Sequence, residues 1–195
     1  MAVELKKGQK VNLVKKGPSL GEILINLNWD RPKKRLFFSP KPIDLDLGCL
    51  YEMRDGTRGC VQALGKHFGS LREAPYIALD GDDRTGESEG GENLRMNGAR
   101  VRLFRRLLVY TFIYEGAASW REANGVVTLR CPGSEDLIVR MDEYSESMKM
   151  CAIALLENTG GDTFSVEKQV RYFAGHRSMD EAYGWGIRWV PGKKD

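Results

Sequence analysis

Between Asp80 and Glu92 the chain concentrates six carboxylates, one arginine (Arg84) and four glycines in thirteen residues. The stretch carries a formal charge of about −5, whereas the whole protein sums to +3. Packing that much like charge into one loop costs free energy unless something neutralises it. A hard divalent cation is the usual answer, because calcium takes about six to eight oxygen ligands from carboxylates, carbonyls and water. A loop that is merely solvated has no need of the four glycines, which let the backbone turn sharply and aim its carbonyls inward.

A second carboxylate pair supports this reading. In Ile43-Asp44-Leu45-Asp46-Leu47 the acids alternate with apolar residues. Period two is the strand signature, so Asp44 and Asp46 share one face and the apolar residues the other. Carboxylates at i and i+2 lie roughly 7 Å apart along a strand, close enough to converge on one ion or on two neighbouring ions. Asp30 closes an earlier alternating run, Ile23-Ile25-Leu27-Trp29, and offers a further carboxylate at a strand end. The acidic loop is not an EF-hand: Arg84 falls on a ligand position whether the count starts at Asp80 or at Asp82. Any calcium would be held jointly by loop and strand.

The remaining periodicity is also that of strands. Leu107 to Tyr114 is apolar or aromatic on both faces, as a central buried strand should be. Further strands are expected over Val126–Leu129, Leu137–Met141 and Met150–Leu156, and a last one carries Trp185, Ile187 and Trp189 on one face. Phe164 to Phe173 fits either a strand or a helix, and Ser178-Met179-Asp180-Glu181 carries a capping-box start for one short helix. The pattern predicts an all-β fold, a β-sandwich of two mainly antiparallel sheets with little helix.

Cys49, Cys60, Cys131 and Cys151 show no Cys-x-x-Cys or zinc spacing and read as reduced packing residues. No signal peptide and no apolar run of membrane-spanning length is evident, so a cytoplasmic protein is expected. Arg100 and Arg102 fall on one expected strand face, but the near-neutral total charge argues against nucleic acid as a partner. His67 and His176 stand far apart with no nucleophile signature nearby, and the acids cluster with glycines rather than as a glycosidase couple. No enzyme is expected.

Four segments, in order, carry a family resemblance. They are Val3-Glu4-Leu5-Lys6-Lys7-Gly8-Gln9-Lys10-Val11-Asn12-Leu13, Leu27-Asn28-Trp29-Asp30, Asp44-Leu45-Asp46, and Gly81-Asp82-Asp83-Arg84-Thr85-Gly86-Glu87. Together they resemble the TerD family of tellurium-resistance and stress-response proteins, over about residues 3 to 114. Asp83 stands where that family favours Asn, and Ser88-Glu89-Gly90-Gly91-Glu92 is less acidic than the family's continuation, with Glu92 falling on its closing Glu. The resemblance therefore marks a divergent member. It implies one domain over residues 1–195, a calcium-binding β-sandwich with one or two ions, and a cytoplasmic role in tellurite and general stress response among protein partners. The expected ligands are Asp44, Asp46, Asp82, Asp83 and Glu92, then Asp30, Asp80 and Glu89, with a backbone oxygen at Gly86. A calcium-dependent membrane-surface module, with Arg31 to Phe38 flanking the loop, and a metal-assisted hydrolase are the alternative expectations.

Overall fold

The computed structural model describes residues 2–30, 44–80, 90–115, 120–145 and 147–192. In chain order the strands are β1 (Ala2–Glu4), β2 (Lys10–Asn12), β3 (Glu22–Asn28), β4 (Asp44–Met53), β5 (Arg58–Val61), β6 (Gly69–Ser70), β7 (Ile77–Leu79), β8 (Glu92–Asn97), β9 (Phe104–Glu115), β10 (Val126–Arg130), β11 (Asp136–Arg140), β12 (Met150–Thr159) and β13 (Thr163–Phe173). Among the described residues two short α-helices accompany them, α1 (Trp120–Ala123) between β9 and β10 and α2 (His176–Tyr183) after β13, along with two 3-10 turns, Leu64–Lys66 and Gly98–Leu103. Among the described residues the strands form a seven-stranded sheet, β1-β11-β10-β3-β8-β7-β6, and a six-stranded sheet, β2-β13-β12-β9-β4-β5. Every pairing is antiparallel except β1 with β11. The expected all-β sandwich of two mainly antiparallel sheets is what the chain forms.

Alternation decides which side chains fill the space between the sheets. Ile23, Ile25 and Leu27 of β3 and Leu94 and Met96 of β8 face Leu45, Leu47 and Cys49 of β4 and Leu107 and Val109 of β9 in one buried cluster. The intervening residues Leu50, Leu108, Tyr110 and Phe112 point to the outer face of the six-stranded sheet, where a second cluster forms under Met179 and Trp185. β9 lies fourth in that sheet and is covered on both faces, as its unbroken apolar sequence requires.

The ambiguous segment Phe164–Phe173 is strand, because β12 pairs along one edge of it and Lys10–Asn12 along the other. The expected helix begins at His176, two residues before Ser178, and the Ser178 hydroxyl caps it from inside the first turn by accepting from Gly175 N–H (3.2 Å). Two expectations are corrected. Trp185–Trp189 is not a strand: buried Asp180 of α2 accepts from Gly186 N–H (2.6 Å), Ile187 N–H (2.9 Å) and Trp189 Nε1–H (2.9 Å), which holds the segment against the outer cluster without a sheet partner. Arg100 and Arg102 lie on a 3-10 turn, Gly98–Leu103, not on a strand face. Cys49, Cys131 and Cys151 are buried and all four cysteines are free, as packing thiols should be. No described helix is long and apolar enough to cross a membrane.

Candidate metal centre

The start of β4 and the start of β8 bring three carboxylates to one end of the sandwich. Asp46 is 0 % exposed, Glu92 2 % and Asp44 7 %. Asp44 and Asp46 come from the six-stranded sheet and Glu92 from the seven-stranded one, so both layers contribute. Glu92 occupies an inward position of β8, one alternation from Leu94, and its Oε2 accepts from Leu47 N–H (2.5 Å) across the gap between the sheets. That donor is available because β5 pairs only with Cys49–Glu52, leaving the first half of β4 open on that side.

Local chemistry fixes Glu92. Gly91 has φ +66°, and a Cβ there would lie 2.1 Å from Leu27 O, so only glycine allows the chain to pass this close to β3 before β8 begins. Asn26 of β3 ties down the same turn, its Nδ2 donating to Gly90 O (2.5 Å) and to Asn93 Oδ1 (2.9 Å). Asp46 lies on the outer face of β4 in the same row as Gly48, whose Cα approaches the Tyr110 ring so closely that a Cβ would sit 2.8 Å from it. Burial, then its neighbours Cys60 and Cys49 and least of all Asp46, pushes the Tyr110 phenol well above its usual value.

The other expected ligands divide into two groups. Asp30 is exposed at the end of β3, and its Oδ2 accepts from Asn124 Nδ2 beside α1 (3.0 Å). Asp80 is exposed and pairs with Arg95 Nε (2.5 Å), and the same guanidinium reaches Glu22 (2.7 Å). Arg95 is on the solvent side of β8, opposite to Glu92, so Asp80 is drawn away from the buried carboxylates. Asp82, Asp83, Gly86 and Glu89 lie outside the described residues, as does the Arg31 to Phe38 segment. Among the described residues, no three His, Cys, Asp or Glu side chains are grouped so that they could hold a metal ion by themselves. The donor set that is present is all carboxylate oxygen, which fits a hard divalent cation and not a thiophilic one. The thiols are poorly suited to metal or redox chemistry in any case. Burial raises Cys49 and Cys151 far above their usual range and lifts Cys60 to about 11, which keeps them protonated at neutral pH.

Two clusters had no signal in the sequence. Buried Glu52 (1 % exposed) accepts from Arg106 Nε (2.6 Å), Arg105 (3.0 Å) and Arg58 (3.1 Å). Burial works to raise the Glu52 carboxyl, but the hydrogen bonds and charges of Arg106 and Arg58 outweigh it and hold it below the usual carboxylate range. Arg106 also stacks on the Trp185 ring, with Cζ 3.9 Å from its centroid, and donates to Tyr183 O and Gly184 O. Gln62 Oε1 accepts from Tyr110 Oη–H (2.6 Å) and lies 2.8 Å from His176 Nε2, which joins β9, the end of β5 and α2. The partners in these clusters are up to 114 residues apart, beyond the reach of any local motif.

Comparison with known proteins finds a family match along the chain. Residues 1–130 match the TerD domain, and the strands that follow, β11 to β13, complete both sheets. Over 199 residues the chain is 43 % identical to Tellurium resistance protein TerA of Alcaligenes sp, covering 95 % of this chain and 58 % of that protein. It is 31 % identical over 104 residues to General stress protein 16U of Bacillus subtilis (strain 168), covering 52 % of this chain and 51 % of that protein. The chain thus spans little more than half the length of these relatives. A solved homologue of telluride resistance protein (TerD) from Streptomyces coelicolor A3(2) superposes with a TM-score of 0.56 over 83 % of this chain and 95 % of its own, at 18 % identity, which speaks for the shared fold. On the family match across two thirds of its length, the chain is a member of the TerD domain family.

Proposed function

We propose that this chain is a calcium-binding module of the tellurite and general stress response, working in the cytoplasm by binding and scaffolding protein partners and not by catalysis. The observation that carries the reading is the burial of Asp44, Asp46 and Glu92 at one end of the sandwich, supplied by both sheets. Carboxylates taken out of water are costly, and a hard cation at that end offsets their desolvation. Asp44, Asp46 and Glu92 would hold one or two calcium ions together with Asp82, Asp83, Glu89 and a backbone oxygen at Gly86 from the acidic loop. Calcium supplies the positive charge and the demand for six to eight oxygens that a loop and two strands can meet jointly. The chain's own contribution is to hold Glu92 against β4 through Leu47 N–H and to anchor the loop's end on Asn26. Ordering the loop on those anchors creates a surface for a partner. The stress setting is supported by the names of the relatives, Tellurium resistance protein TerA and General stress protein 16U.

Two measurements test this. Saturating calcium should raise the unfolding free energy by about 2.7 kcal/mol at one hundred times Kd, with magnesium doing far less. The chain should stay in the supernatant with anionic vesicles at physiological salt whether or not calcium is present. Calcium-dependent sedimentation with the vesicles would replace the scaffold by a membrane-surface module.

A further inference from the structure

A cleft of about 770 Å³ opens on the outer face of the six-stranded sheet, between the β5 end and the C-terminal segment that follows α2. We propose that it binds a small planar aromatic anion. Its volume falls within the range of about 300–1,000 Å³ typical of small-molecule sites. The walls are aromatic and apolar: Tyr51 and Leu64 on one side, Ile187 and Trp189 on the other.

These walls are held in place before any ligand arrives. The Trp189 indole donates to buried Asp180 and packs on the His176 ring at 4.7 Å between centroids. His176 in turn stands edge-on to Phe112 and Tyr110, with Nε2 on Gln62 Oε1, itself a buried acceptor for Tyr110. A site so fixed loses little conformational entropy when it is filled.

The charge of the cleft has one sign. Its lining includes Arg177 and Arg188 and no aspartate or glutamate among the described residues. Both arginines are exposed, and neither forms an ion pair with a described residue, unlike Arg58, Arg95, Arg102, Arg105 and Arg106 elsewhere on the surface. Two guanidinium groups with no ion-pair partner among the described residues, around an apolar, ring-lined concavity, attract an anion, and their planar forks suit carboxylate or phosphate oxygens. The rings supply the stacking surface that an inorganic anion would leave unused. The inference rests on this cleft alone and is independent of calcium at the acidic end.

Calorimetric titration with 1-naphthyl phosphate, 1-naphthol and inorganic phosphate tests it. The aromatic phosphate is expected to bind saturably, about tenfold or more tighter than either the neutral aromatic or the bare anion. The double variant Arg177→Gln/Arg188→Gln should weaken it by about tenfold or more, while Arg102→Gln, outside the cleft, leaves it unchanged. No saturable binding of naphthyl phosphate, or equal binding by the double variant, overturns the proposal. Equal affinity for naphthol removes the role of the anion, and equal affinity for phosphate removes that of the rings; either result also overturns it.

Discussion

Lowering the pH from 7 to 5 should destabilise this protein through His176 in particular. Its ring is packed against Tyr110, Phe112 and Trp189, with Nε2 on Gln62, and the charged groups lining the same cleft are Arg177 and Arg188. Burial pushes the His176 pKa down from 6.5 to about 4. In the unfolded chain the same imidazole titrates near its ordinary value. Between pH 6.5 and 4 the unfolded state therefore takes up a proton that the folded state refuses, and stability falls as the pH falls, by up to about 1.4 kcal/mol per pH unit. By pH 5 the accumulated loss is about 2 kcal/mol; below the folded value both states are protonated and the loss stops growing. His176→Phe keeps an aromatic ring in the pocket and removes the titration. Urea unfolding of both proteins at pH 7 and pH 5 isolates the effect, because the carboxylates titrate alike in the two. The wild type should lose about 2 kcal/mol more than the variant over that interval. Equal losses would refute the claim that His176 is held neutral by its packing.

Other perturbations read other parts of the structure. Asp46→Asn and Glu92→Gln should each weaken calcium binding by about tenfold or more, whereas Asp80→Asn should change it little because Asp80 is engaged with Arg95; calorimetry on the three variants decides. Glu52→Gln strips three arginines of their shared carboxylate and should cost about 3 kcal/mol in urea unfolding, with a loss under 1 kcal/mol counting against the buried ion-pair reading. Gly48→Ala forces a Cβ to within 2.8 Å of the Tyr110 ring and should cost about 1–3 kcal/mol, unless Tyr110 is not packed on β4 as described.

Much of the fold was legible because strand periodicity is local. The alternation in Ile23–Trp29 and the unbroken apolar run of Leu107–Tyr114 correspond to β3 and β9, whose faces are buried as the patterns require. The shared strand face of Asp44 and Asp46 was also legible from their alternation with apolar neighbours, whereas Glu92 was placed by the family resemblance and its acidic loop. Their burial was not, because it depends on packing between segments distant in sequence: Glu92 is covered between the sheets and Asp46 on the outer face of β4. Trp185–Trp189 misled for the same reason. Its alternation is strand-like, but Asp180 takes the Gly186 and Ile187 N–H groups from the helix side, and among the described residues no strand pairs with it. Arg100 and Arg102 misled by spacing alone, since a 3-10 turn also separates i and i+2 from the core. The cleft had no local signature: Gln62, His176 and Trp189 meet only because α2 folds back over β9.

The calcium-binding claim is tested most directly by calorimetric titration of chelator-treated protein with calcium and then with magnesium. Saturable calcium binding to one or two sites per chain is expected, lost or weakened by about tenfold or more in Asp46→Asn, with magnesium binding far weaker. No calcium heat above dilution, or a calcium isotherm that Asp46→Asn and Glu92→Gln leave unchanged, would contradict it.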